Sequence, residues 1–271
     1  PGRSRADLEE LARTAGDRPQ VAAAPAPGGA GPVRVLVAGD SVALTLGLSD
    51  FASMAAEQGI ELYDTSMLGC GVARGMQRKR LGSVEQPPEG CDRWPTRFAD
   101  RVAAVEPDVA MLLVGRWEVT DQRMNGRWTH IGNPDFDAYL ARELDLAIAT
   151  LSARGARVVL ATTPVFRSVE APDGSRYPET DPERVIRFNV LLREAADRHP
   201  GVATVLDVGQ VLTPGNKYRE SADGVRVRDP DGVHITPEGG GLIGKAIIPR
   251  LLEIARSAPP GATPASSPTP A

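Results

Sequence analysis

The apolar positions along the chain follow two alternating periods. Val33, Val35, Leu36 and Val37 form a short apolar run between Pro32 and Gly39, the pattern of a strand buried on both faces. Beyond it, Leu44, Leu48, Phe51 and Ala55 recur at helical spacing, which predicts an amphipathic helix of about four turns beginning near Ser41. The alternation then repeats. Further strands are predicted at Ile60–Thr65, Asp108–Val114, Arg157–Ala161 and Val202–Leu206. Helices are predicted from Trp94 or Pro95 to Val105, Asp135 to Arg154, Pro182 to Arg198 and Pro237 to Ala255. A βα repeat of this kind predicts an α/β fold: one mostly parallel five-stranded sheet with helices on both faces.

The periodic region spans residues 33–256. Residues 1–32 combine a short charged segment with an Ala/Pro/Gly tract, the composition of a linker or tether, and residues 257–271 read as a disordered Pro/Ala/Ser tail. With 271 residues and 41% apolar positions, the chain can bury a substantial core. A formal net charge of -4 supplies no basic footprint, so nucleic acid is not expected as a partner and a small-molecule substrate is. No apolar run approaches the roughly 18 residues that span a bilayer, and no leader-like segment opens the sequence, so it reads as a soluble fragment or processed form. Cys70 and Cys91 flank a Gly- and Pro-rich stretch. A disulfide is the favoured reading, with two separate buried thiols or a metal site as alternatives; His130, His199 and His234 lie at no familiar metal spacing from them. No cofactor is called for.

In parallel sheets the reacting groups gather beyond the carboxyl ends of the strands. Ser41 stands there after the first strand, Gly69-Cys70-Gly71 after the second, Gly115-Arg116-Trp117-Glu118 after the third and Thr163 to Arg167 after the fourth. A serine at a strand-to-helix junction sits beside unpaired N–H groups and a partial positive charge, although Asp40 and Ser41 also suit plain helix capping. Near the other end, Asp231 and His234 lie three residues apart in a turn-forming stretch. There the carboxylate can accept from Nδ1–H and leave the other ring nitrogen free to take a hydroxyl proton. The basic run Arg78-Lys79-Arg80 reads as a solvated loop, and Asp207 as a turn cap.

Gly39-Asp40-Ser41 near the front and Asp231-x-x-His234-x-Thr236 near the end resemble the SGNH (GDSL-like) hydrolase family over residues 33–256. That resemblance implies a three-layer α/β/α, flavodoxin-like fold, with Ser41 as nucleophile and His234 and Asp231 as the other triad members. The chain departs from the family where Gly-x-Asn-Asp is usual: Trp117 stands in place of the asparagine that donates to the oxyanion. The backbone N–H groups of Ser41 and Gly69 are then the expected donors, with Trp117 walling a short acyl pocket. Gly69-Cys70-Gly71 and Gly115-x-Trp117-Glu118 look more like the extracytoplasmic SGNH domains fused to membrane acyltransferases in bacterial cell-surface O-acetyltransferases. This likeness implies a periplasmic or cell-surface domain, membrane-tethered in the full-length protein. It would be an esterase or O-acyltransferase acting on acetyl or other short acyl groups of glycans or glycolipids. A non-catalytic glycan-positioning domain is the alternative. A nucleotide-binding domain lacks support, because no Gly-x-Gly-x-x-Gly or phosphate loop follows the first strand.

Overall fold

A computed structural model describes residue 10, residues 21–24 and residues 31–257. Most of the predicted linker and nearly all of the predicted tail therefore lie outside the described residues. The central sheet takes β1 (Val33–Gly39), β2 (Ile60–Asp64), β5 (Val109–Leu113), β8 (Arg157–Ala161) and β9 (Ala203–Leu206) in the order β2-β1-β5-β8-β9. Every pairing within it is parallel. Its central strands are buried on both faces: Val35, Leu36, Val37, Val109, Met111, Val158 and Leu160 are all fully inaccessible. That is why they read as continuous apolar runs.

Helices cover both faces. On one side α2 (Asp50–Glu57) packs on α7 (Pro237–Arg256), as does α6 (Val208–Leu212). On the other, α3 (Trp94–Val105), α4 (Pro134–Leu151) and α5 (Pro182–Arg198) pack in series. The four-turn helix expected from Ser41 is instead two short ones, α1 (Ser41–Gly47) and α2. The break falls at Ser49, whose Oγ accepts from Phe51 N–H at 3.3 Å and donates to Leu46 O at 2.5 Å. Serine competes well with the helical ladder at such a cap. Helix α7 presses on the break so closely that a Cβ on Gly240 would meet Ser49 Oγ at 1.6 Å.

Between β2 and α3 the chain inserts a hairpin, β3 (Arg78–Arg80) and β4 (Ser83–Glu85), and between β5 and α4 a second, β6 (Gln122–Met124) and β7 (Arg127–Thr129). The two join into a four-stranded antiparallel sheet, β4-β3-β6-β7, through the single registered pair Arg78 and Gln122. The basic run expected to be a solvated loop is thus a strand, and Arg78 is buried. A short ribbon of β10 (Ser221–Ala222) and β11 (Val225–Arg226) precedes the Asp231–His234 turn.

Candidate active site

Strand β1 delivers Ser41 to the first position of α1. The turn between them needs Gly39: its φ is +156°, and a Cβ there would lie 2.0 Å from Leu113 O of the neighbouring strand. Asp40 is the N-cap, its Oδ1 accepting from Val42 N–H at 2.8 Å. The capping role therefore belongs to Asp40 and leaves the Ser41 hydroxyl uncommitted to the helix. As the first helical residue, Ser41 keeps a backbone N–H outside the intrahelical ladder.

The second half of the site is the turn after β11. Gly232 N–H donates to Asp229 O and Asp229 N–H to His234 O, both at 2.9 Å, closing residues 229–234 into a loop. Arg228, fully buried, braces it by donating to Val233 O at 2.6 Å and to Val165 O at 3.2 Å. Ile235 N–H reaches Thr45 Oγ1 on α1 at 3.3 Å, tying this turn to the serine helix. None of these braces carries a sequence signal beyond an isolated Arg or Thr.

The structure brings Ser41, His234 and Asp231 together across 193 residues of sequence. The Ser41 hydroxyl donates to His234 Nε2 at 2.8 Å, and His234 Nδ1–H donates to Asp231 Oδ2 at 2.5 Å. Asp231 Oδ1 accepts from Val233 N–H at 2.9 Å and His234 N–H at 3.0 Å, so both carboxylate oxygens are occupied. Partial burial opposes charge on Asp231, but the His234 contact and the two N–H donors prevail and hold its pKa down to about 2. An ionised carboxylate on Nδ1 sets the tautomer in which Nε2 accepts the serine proton. Asp229, by contrast, serves the turn through its backbone, and Asp207, at the N-cap position of α6 with no side-chain capping bond, pairs with Arg193.

Ser41, His234 and Asp231 open into a cavity of about 280 Å³ lined also by Leu68, Gly69, Arg78, Arg80, Glu85, Pro88 and Trp117. Gly69 and Trp117, the two residues singled out beside the triad, therefore stand on the same cavity as Ser41. Gly69 has a φ of +73°, and its carbonyl accepts from the Arg78 guanidinium at 2.6 Å. The guanidinium of Arg78 lies 3.4 Å from the centroid of the Trp117 ring and donates to Glu85 at 2.8 Å. Arg80 meets the other oxygen of Glu85 at 3.0 Å. Trp117 Nε1 is buried with no partner among the described residues. The wall is tied down by a disulfide between Cys70 and Cys91, which resolves the alternatives left open by the cysteine count.

The residues beside Ser41 and Trp117 in sequence, Asp40 and Glu118, are two buried carboxyls, both fully inaccessible. Burial, reinforced by the proximity of Glu118, pushes Asp40 up to about 7, and burial raises Glu118 too. Glu118 Oε1 accepts from Val72 N–H at 2.6 Å, pinning the loop after β2 to the loop after β5. Among the described residues no cluster of three or more His, Cys, Asp or Glu side chains is placed to hold a metal ion.

A five-stranded parallel sheet flanked by helices, with a serine after the first strand and an Asp-x-x-His turn before the last helix, is the SGNH hydrolase fold. The chain belongs to the family described as SGNH domain (fused to AT3 domains), whose match covers residues 9–249 and so begins well inside the segment read as a linker. Solved structures share the fold at low identity. A GDSL-like lipase from Bacteroides thetaiotaomicron is 18% identical with a TM-score of 0.53, over 83% of this chain and 92% of that one. A carbohydrate acetylesterase from Sinorhizobium meliloti is 13% identical with a TM-score of 0.53, over 82% and 99% of the two chains. No curated protein matches the chain.

Proposed function

We propose that residues 33–256 form a serine esterase or O-acyltransferase domain that carries short acyl groups, acetyl foremost, on Ser41. The single observation that supports this most is the unbroken hydrogen-bond chain from Ser41 through His234 to Asp231. In acylation, Ser41 Oγ bonds to the ester carbonyl carbon while its proton moves to His234 Nε2. The tetrahedral intermediate then breaks its bond to the departing alkoxide, which takes the proton from His234. Water or a sugar hydroxyl repeats the sequence in reverse and restores Ser41. Asp231 keeps its charge throughout, orienting the imidazole and stabilising the imidazolium. The Ser41 and Gly69 N–H groups are the proposed oxyanion donors, and Trp117 the pocket wall.

The substrate proposed is an acylated glycan or glycolipid of the cell envelope, handled by an extracytoplasmic domain joined to a membrane acyltransferase domain in the full-length protein. Membership of the AT3-fused SGNH family supports that placement, and so does a disulfide, which persists in oxidising compartments. The solved carbohydrate acetylesterase of the same fold is consistent with a sugar ester. The test is to mix the protein with an activated acetyl ester and follow intact mass. A single acetyl adduct that maps to Ser41 and is absent from Ser41→Ala is expected. Absence of any adduct together with absence of ester hydrolysis overturns the proposal and favours the non-catalytic role.

A further inference from the structure

A second concavity, of about 380 Å³, opens between the loop after β8 and the segment before β10. Its rim carries Arg167, Arg176 and Lys217, with Glu170 as the sole carboxylate among the described residues that line it. All three cations are exposed, and none makes an ion pair with another described residue; Arg167 lies only over the Tyr218 ring, 5.9 Å from its centroid. By contrast, Arg78, Arg80 and Arg184 are each paired with a carboxylate. In a chain of net charge -4, a cleft lined by three exposed cations and one carboxylate carries a local excess of positive charge, which favours oxyanions.

The cleft is built onto the triad turn. Arg167 N–H donates to Gly232 O at 3.2 Å, one residue after Asp231, and Arg228 donates both to Val165 in the cleft floor and to Val233 beside His234. Gly232 has a φ of +71°, and a Cβ there would lie 2.3 Å from Arg167 O, so the two segments are in direct apposition. A ligand seated in the cleft is thereby held in a set relation to Ser41.

We propose that this cleft is an anion subsite for the acceptor chain. It would bind carboxylate or phosphate groups on the same glycan whose acyl ester enters the Ser41 cavity, with Arg176 and Lys217 as the main contacts. The substrate class follows: an acidic saccharide rather than a neutral one. The proposal rests on the esterase reading only for the identity of the chain that is held, so its test needs no turnover.

The 271-residue protein carrying Ser41→Ala is titrated calorimetrically with three probes: tetragalacturonate, a tetrasaccharide bearing phosphate monoesters, and neutral maltotetraose. At least one acidic probe is expected to bind about tenfold or more tighter than the neutral one, and the advantage should shrink as salt rises toward 0.5 M, where the Debye length is only about 4 Å. The preferred acidic probe identifies carboxylate or phosphate as the group recognised. Adding Arg176→Ala and Lys217→Ala together should weaken the preferred acidic probe about tenfold, whereas Lys217→Arg, or Lys245→Ala on the remote helix α7, should leave it within about twofold. Equal binding of all three probes, no binding of either acidic probe, or acidic binding unchanged in the double variant would each overturn the proposal. A protein that forms no acetyl-Ser41 yet shows the expected titrations would fail the esterase reading and keep the anion subsite; the converse result would do the opposite.

Discussion

The Glu118 carboxylate occupies the space that a side chain on residue 71 would need: a Cβ on Gly71 would come 2.0 Å from Glu118 Oε1 and 2.8 Å from Cδ. Gly71 has no positive φ to justify it, so the glycine is there for this carboxylate. Gly71→Ala should evict Glu118 from its bond to Val72 N–H and leave buried polar groups unpaired, costing about 1–3 kcal/mol. In a Glu118→Ala background the same substitution should cost less than half as much, as measured by urea unfolding. Equal costs in the two backgrounds would mean that Gly71 is not coupled to Glu118.

Ser41→Ala and His234→Ala should each lower turnover of an activated acetyl ester by three orders of magnitude or more, and by no more together than singly, because triad members act as a unit. Asp231→Asn should cost about 10⁴ in kcat, through the wrong imidazole tautomer. Asp229→Asn should cost far less, since the bonds of Asp229 that close the turn are made by its backbone. Comparable losses at the two aspartates would mean that the wrong carboxylate has been assigned.

Stability should peak in mildly acidic solution. Asp231, held down to about 2 from an ordinary value of 3.8, contributes stability that is complete above pH about 4 and is lost as pH falls toward 2. Asp40 and Asp64, pushed by burial up to about 7 and about 6, retain protons that the unfolded chain releases. Their effect has the opposite sign, and stability falls as pH rises from about 4 to 7. Melting temperature measured from pH 3 to 8 should therefore decline on both sides. Asp40→Asn, which keeps an N-cap oxygen, should flatten the alkaline limb, and a limb left unchanged would show Asp40 to be ionised throughout.

Replacing Cys70 and Cys91 by serine should lower stability by about 3 kcal/mol, the loop-closure value for a bridge of this span, or about 6–12 °C in melting temperature. Mass spectrometry after alkylation of the denatured, unreduced protein should find neither thiol modified.

Trp117→Ala should relax selectivity toward longer acyl esters with a modest change in acetyl-ester turnover, since it enlarges the cavity beside Ser41. The free Nε1 offers a competing outcome. If the substitution instead cuts acetyl turnover about a hundredfold without altering chain-length preference, the indole is an oxyanion donor. Trp117→Phe, which keeps the ring face under Arg78 and removes only the N–H, separates the two: it should resemble wild type if Trp117 is a wall.

What the sequence disclosed follows from periodicity. The central strands and α3 and α5 were legible because both faces of each strand, and one face of each helix, are apolar without interruption. That Ser41, Asp231 and His234 would meet was legible from two short motifs and the family resemblance they carry, and the three side chains do meet. The second sheet was not: β3, β4, β6 and β7 are three residues each, and Arg78-Lys79-Arg80 has no apolar position to betray a strand. Arg78 is buried by stacking on Trp117 and pairing with Glu85, long-range events with no local trace. Glu118 was visible only as part of an unusual tetrapeptide, since nothing nearby in sequence announces that its partners are Gly71 and Val72. The break at Ser49 was hidden because Leu44, Leu48, Phe51 and Ala55 keep helical spacing across it.

The two hairpins that make up the second sheet arise from separate crossovers of the main sheet, and β3 and β6 meet through one registered residue pair. Arg78 is one member of that pair, with Gln122 the other, and it also roofs Trp117 and holds Gly69. Exchanging either hairpin for that of a relative should therefore disturb Arg78, and with it the side of the cavity formed by Gly69 and Trp117. A graft meant to change acyl preference should move residues 66–93 and 115–131 together.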